Sequence, residues 1–385
     1  MKKVILIALM MTIFLNYCNL FDSSSNSKKK GSSQQFLAFY KPGNEQVLGT
    51  TKLIARVDVK NGKAEYSSFL DIYPYGDHFW NYSDVNDNKL VMALHKDFKE
   101  GYVYNGVYVD LNSKNQVTLP LVQPDEDSDY PFYQAATGVI SDNGMIVYMT
   151  GTNDKYYGDQ YKPYLIRYNP ADNSYKVAAS PASFALSQPE KGSDTETGQI
   201  NRTIAVSPDG RYAYGVVSAF GVDGGSYHWD YEILFQYDFE TDQYTRLGEE
   251  GDDDASFYGI SADGKKLFYS NRYTKKVYDL TTQTVSEFDI YSTTFNPQQA
   301  NNNGFIRNAT TGIYYQDLVN NQEIEVIRKY YTTNALFGED GKTVYFILEG
   351  SENNYICQID ELIEDTEWDT LATVPKELKH FKLLK

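Results

Sequence analysis

A short turn recurs along this chain, and each copy feeds an alternating strand. It reads Ser141-Asp142-Asn143-Gly144, Ser207-Pro208-Asp209-Gly210, Ser261-Ala262-Asp263-Gly264 and Gly338-Glu339-Asp340-Gly341. Weaker copies stand at Asp87-Asn88 and Asn303-Gly304. Pro208 sits where a type I turn wants φ near −65°, and the closing Gly supplies the left-handed residue from which the next strand departs. The residues that follow are β-branched and aromatic, as in Met145-Ile146-Val147-Tyr148, Lys266-Leu267-Phe268-Tyr269 and Thr343-Val344-Tyr345-Phe346-Ile347. A helix does not tolerate this punctuation, so the pattern demands sheet.

A second element follows each of these, a hairpin with a polar turn. Its first copies turn at Asn61-Gly62, Lys114-Asn115, Asp172-Asn173 and Thr241-Asp242. Later copies turn at Thr282-Gln283 and Asn320-Asn321, and the last strand of the series is Ile356-Cys357-Gln358-Ile359-Asp360. Four-stranded units repeating every 40–50 residues or so predict an all-β fold, a single β-propeller. One such unit cannot bury both faces of its sheet; stacking the units around an axis does. Seven hairpins give seven blades, with six or eight as the alternatives. The propeller domain is expected to span residues 36–385, with loops inserted at 150–161, 181–197 and 220–230.

The first repeat lacks an innermost strand, since residues 36–40 already hold the second-strand position. His380-Phe381-Lys382-Leu383-Leu384 follows the seventh repeat where an innermost strand should fall. The C-terminal strand is therefore predicted to close blade one, the alternative being an uncoupled tail.

Residues 1–18 read as an export signal and stand outside the fold. Lys2 and Lys3 precede an apolar run over 4–15, well short of the roughly 20 residues that span a bilayer as a helix. The run ends at Leu15-Asn16-Tyr17-Cys18. It resembles a bacterial lipoprotein signal, which implies a lipid on Cys18 and a chain anchored to a membrane of the cell envelope. Tyr17 stands where that pattern usually has a small residue, so plain secretion and a retained anchor stay open. Residues 19–35, rich in Ser, Asn and Lys, read as a flexible tether. Cys357 is the other of the two cysteines, so the exported domain forms no internal disulfide, and a lone strand Cys is expected to be a small buried hydrophobe.

The turns at Ser207-Pro208-Asp209-Gly210 and Ser261-Ala262-Asp263-Gly264, each leading into an aromatic strand, are similar to the repeats of TolB-like and related WD40-like propellers of the bacterial envelope. That resemblance covers most of residues 80–350 and speaks for architecture. The fold hosts hydrolases, lyases, peptidase companion domains and binding scaffolds alike. TolB's separate N-terminal α/β domain has no counterpart here, so its partners do not carry over.

Chemistry is thinly signposted. The four histidines, His78, His95, His228 and His380, show no zinc-ligand spacing. There is no Gly-x-Ser-x-Gly elbow. Residues 259–265 match a phosphate-loop spacing, but Lys266 replaces the metal-binding Ser or Thr and the context is strand–turn–strand. Asp125-Glu126-Asp127-Ser128-Asp129 lacks the Gly and Glu of a calcium loop, and Asp252-Asp253-Asp254 reads as solvated charge. No catalytic group, metal or cofactor is expected. A net charge of −17 opposes wide contact with nucleic-acid phosphates.

The residues entering the innermost strands carry more signal: Trp80, Tyr133, Arg202, Tyr258 and Tyr331. Placed on one rim they would make an aromatic mouth with one guanidinium, suited to a protein or glycan partner. The competing reading packs them between blades as core. The expectation is a monomeric, lipid-anchored binding scaffold of the envelope. Its rival is an exported hydrolase or lyase with carboxylates, Arg202 and a His meeting at the axis.

Overall fold

The computed structural model describes residues 34–40, 53–70, 83–96, 103–120, 136–152, 162–181, 184, 195–223, 226–248, 255–261, 263–271, 274–288, 299–309 and 312–384. Cys18, the tether, Trp80, Tyr133 and both acidic runs lie outside them.

Among these residues the chain forms six hydrogen-bonded sheets, in five of which the strands are consecutive and antiparallel. The first three strands are β1 (Gln34–Tyr40), β2 (Ile54–Lys60) and β3 (Lys63–Phe69). A four-stranded sheet follows in β4 (Ser83–Asn86), β5 (Lys89–Lys96), β6 (Val103–Asp110) and β7 (Gln116–Thr118). The next is β8 (Ala136–Ile140), β9 (Ile146–Thr152), β10 (Lys162–Asn169) and β11 (Ser174–Val177). Then come β12 (Thr195–Val206), β13 (Tyr212–Asp223), β14 (Ser226–Asp238) and β15 (Gln243–Arg246). After them stand β16 (Ser256–Ile260), β17 (Lys266–Ser270), β18 (Lys275–Asp279) and β19 (Thr284–Phe288). A three-stranded sheet holds β20 (Gly304–Ala309), β21 (Gly312–Asp317) and β22 (Gln322–Arg328), with Ala300 bridged to Phe305 just ahead of it.

The remaining strands are β23 (Thr332–Phe337), β24 (Val344–Glu349), β25 (Asn353–Ile359), β26 (Asp369–Pro375) and β27 (Leu378–Leu383). They join the first three in one sheet of order β23-β24-β25-β26-β3-β2-β1-β27. Its two quartets meet at a single parallel bridge, Thr373 to Lys63. The number of sheets is therefore not by itself the number of blades.

First strands pack side by side around an axis, β4 on β8, β8 on β12, β12 on β16 and β23 on β27. This is an all-β propeller of four-stranded blades. The C-terminal strand lies where its position in the repeat placed it: β27 runs antiparallel to β1, with Phe36 opposite Leu383 and Ala38 opposite Phe381. Phe36 meets Phe381 edge-on at 4.9 Å and Tyr345 of β24 at 5.6 Å, so one ring ties both quartets together.

The turns have the geometry their sequence asks for. In the first-to-second-strand turns the Gly amide donates back to the residue three places earlier, Gly210 to Ser207 at 2.8 Å and Gly264 to Ser261 at 2.8 Å. Both glycines have positive φ, 70° and 69°. Successive turns also stack: a Cβ on Gly264 would lie 2.4 Å from Pro208 Cδ, and one on Gly210 would lie 2.8 Å from Met145. The outer hairpins each carry a left-handed polar residue, such as Asn61, Lys114, Asn173, Asp242, Gln283 and Asn321. An Asp ahead of the turn caps several of them. Asp110 accepts the amides of Asn112 and Ser113 at 3.0 and 2.8 Å, and Asp279 those of Thr281 and Thr282 at 2.8 and 2.9 Å. These amides, Ser113 and Thr282 foremost, hold the two carboxyls below the usual range.

One expected loop is strand instead. Most of residues 220–230 continue β13 and β14, which with β12 run 12, 13 and 12 residues. The register extends to Asp223 opposite Ser226. At about 3.3 Å per residue this three-stranded extension stands well beyond the other blades. Phe220, Val222, Tyr227 and Trp229 supply the strand propensity there, and the cross-strand register carries the ladder through the intervening Gly and Asp.

Candidate functional site

At or next to the end of each of β4, β8, β12, β16, β23 and β27 stands an apolar residue. Where these ends converge on the axis they enclose a cavity of about 470 Å³. Val85, Ile140, Val206 and Ile260 line it from β4, β8, β12 and β16. Ala300, Phe337 and Leu383 continue the collar. Among the described residues seven chain segments contribute, and the collar residues share one register position. Each faces a residue at the start of the neighbouring second strand: Val85 Leu90, Ile140 Ile146, Val206 Ala213, Ile260 Leu267 and Phe337 Val344. Ala300 does the same with Phe305, and Leu383 with Phe36.

The polar groups around the collar are engaged in holding neighbouring strands. Asp84 accepts the amides of Val85 and, from the next sheet, Ile140, both at 2.9 Å. Asn86 donates to the Ile140 carbonyl at 3.2 Å and to Asp142 Oδ1 at 3.0 Å. Asn143 donates to the Asp209 carbonyl at 2.6 Å, and Asn301 to the Gly341 carbonyl at 2.7 Å. Asp84, Asp142 and Glu339 line the cavity, whereas no Lys, Arg or His does so among the described residues. Glu339 makes no hydrogen bond or ion pair among the described residues.

A second hollow of about 410 Å³ opens beside the first and shares Gly338 and Glu339 with it. It runs between the turn at Asp340 and the amides of Gln34 and Gln35, with Tyr345 and Leu384 on its walls. Burial and then the nearby carboxylates, Asp340, Asp360 and Glu339, push the Tyr345 phenol up.

Of the residues singled out from sequence, Tyr258 and Tyr331 lie toward the opposite ends of the first strands. Tyr331 immediately precedes β23 and is 62% exposed. Its neighbour Tyr330 packs on Trp368, ring centres 4.8 Å apart. Tyr258 is half-buried in β16, its hydroxyl 2.6 Å from Ser270 Oγ and the Lys275 ammonium 5.2 Å from its ring centre. Phe257 beside it is core. Arg202 lies well inside β12, below the extension that rises at this end. Trp80 and Tyr133 lie outside the described residues, so the structure brings together no complete rim. The cavity at the other end escaped the sequence reading because its collar residues look like any buried strand end. The signal that finds them is positional: the apolar residue just before each turn.

Among the buried ionisable groups, His380 and Lys382 sit on β27. Burial, then the Lys382 charge, holds the His380 imidazole well below its ordinary value. Burial also lowers Lys382, opposed by Asp84. No group of three His, Cys, Asp or Glu side chains gathers to hold a metal among the described residues.

No protein-family model matches the sequence, and the search of curated proteins gave no match. Among solved structures the chain is similar to TolB from Acinetobacter baumannii, at 12% identity over 93% of this chain and 88% of that one, TM-score 0.40. It is similar to the Pseudomonas aeruginosa periplasmic gluconolactonase PpgL, at 12% identity over 92% and 99%, TM-score 0.43. A putative 6-phosphogluconolactonase from Bacteroides fragilis gives 11% identity over 94% and 100%, TM-score 0.44. Likeness at this level carries no argument about ligand or reaction; the propeller rests on the sheets themselves.

Proposed function

We propose that this chain is a binding scaffold of the bacterial envelope: a seven-bladed propeller, tethered through a lipid on Cys18, that takes a protein or glycan partner at its axial face. The seven-blade reading is supported by the collar, in which seven register-equivalent residues face the axis. It treats the eight-stranded sheet as two blades that abut at the Thr373–Lys63 bridge.

The observation that carries the binding reading is the division of labour at the axis. The collar is apolar, and the polar side chains around it hold strand to strand. Such a site offers shape and exclusion of water, as ligand pockets of a few hundred Å³ do. The exposed Tyr331 and the half-buried Tyr258 offer a second, aromatic mouth at the other end.

Capture of envelope partners by the wild-type chain, by Glu339→Arg and by a Trp80→Ala/Tyr258→Ala/Tyr331→Ala triple variant tests the reading. A partner lost with one variant and kept with the other supports the scaffold and identifies the working face. An unchanged set of captured molecules with both variants overturns it.

A further inference from the structure

We infer that the cavity and its adjoining hollow form one peptide site, which takes an extended segment with an apolar anchor residue flanked by Lys or Arg. This rests on the scaffold reading and names its ligand class. The two concavities share Gly338 and Glu339, so they adjoin at that turn. Depth in the first is apolar, with Ile140, Ile260 and Phe337 on its wall; an apolar side chain gives up no hydrogen bond to water on entering.

Charge selects what flanks that anchor. Glu339 lies in the turn that follows β23, at the mouth; Asp142, after β8, also lines it and accepts from Asn86, and Asp340 in the adjoining hollow caps its own turn through the Lys342 and Thr343 amides. Asp84, one residue deeper in β4, has the Lys382 ammonium as its neighbour and both its oxygens on backbone amides. The deep carboxylate is thus balanced within the fold, while Glu339 has no ion pair among the described residues. With no cationic side chain lining either hollow among the described residues, Glu339 at the mouth favours a cation from outside. A glycan fits worse, since the collar residues Val85, Ile140, Val206, Ile260, Phe337 and Leu383 present apolar side chains.

The test is fluorescence anisotropy with three labelled peptides and the purified full chain: Gly-Lys-Phe-Lys-Gly, Gly-Glu-Phe-Glu-Gly and Gly-Lys-Ser-Lys-Gly. The first binds saturably and more weakly as salt rises; the other two bind at least several-fold less tightly. Glu339→Gln weakens the first by about threefold, the effect of one part-exposed ion pair, and Asp142→Asn/Glu339→Gln by more. Glu361→Gln, on an outer turn, leaves it unchanged. Equal binding of the Lys- and Glu-flanked peptides, no saturable binding, or indifference to Glu339→Gln overturns the assignment. If capture of an envelope partner still depends on Glu339 while these peptides fail, the peptide class falls and the scaffold stands.

Discussion

Lys382, three residues from the C-terminus, donates through Nζ to the backbone carbonyl of Ser83 at 2.6 Å, across 299 positions of sequence. The bond joins β27 to β4, two first strands that no turn connects. Around it, Asn334 of β23 donates to the Phe381 carbonyl at 2.8 Å on the other side of β27. The last strand is thus held on three sides: by β1 in the ladder, by β23 and by β4. A buried ammonium in this position is stabilising only while its partners stay in place.

Lys382→Met keeps the length of the side chain and removes the donor. It leaves the Ser83 carbonyl without this bond and Asp84 without its neighbouring charge, and is expected to destabilise the fold by about 1–3 kcal/mol in urea unfolding. An unaltered midpoint would show that the bond does not hold the ring.

The stacked turns separate two costs of replacing glycine. Gly62 has φ +76° and open space around it, so Gly62→Ala pays only backbone strain, about 1 kcal/mol. Gly264 has φ +69° and the Pro208 ring against it, so Gly264→Ala adds overpacking for a total of about 2–4 kcal/mol. Equal losses in thermal or denaturant unfolding would mean that neighbouring turns are not in contact.

Cys357 is fully buried in β25, and burial pushes its thiol up to about 12. The native chain is expected to leave Cys357 unlabelled by iodoacetamide at pH 8, with labelling appearing in denaturant, as read by mass spectrometry of its peptide. Rapid native labelling would place β25 outside the core.

The hairpin caps give the acid limb of stability its sign. Asp110 and Asp279 have carboxyls lowered in the fold by turn amides. Their contribution is therefore complete above the unfolded carboxyl value of about 3.9 and is lost as pH falls through the lower folded value. Asp110→Asn/Asp279→Asn is expected to flatten the loss of stability below about pH 4. The same slope in both proteins would exclude these caps as its source.

The architecture was legible because it is written in local chemistry. The Gly of each Ser-x-Asp-Gly turn has to be left-handed, and Asp110 or Asp279 has to find turn amides; both are decided within four residues. The closing strand was legible by counting, since β1 begins one strand late in its blade. The extension of β12–β14 was misread as a loop because its Gly and Asp residues look like punctuation, while the register that overrides them is set across strands. The axial collar was missed for a related reason. Ile140 and Ile260 differ from other buried residues only in standing at the axial ends of their strands, and an axis exists only after every blade has been placed. Aromatic side chains drew the reading to the opposite mouth, where Tyr331 is exposed and Tyr258 is partly engaged with Ser270.

The last strand closes the ring, and the axial cavity exists only if β27 and β4 stay together. Deleting residues 378–385 and measuring the thermal midpoint, with hydrogen exchange at β1, tests this directly. Loss of Leu378, Phe381 and Leu383 from the core predicts a fall on the order of 10 °C, with β1 amides losing protection. A midpoint within a degree or so of the full chain, with β1 still protected, would contradict it.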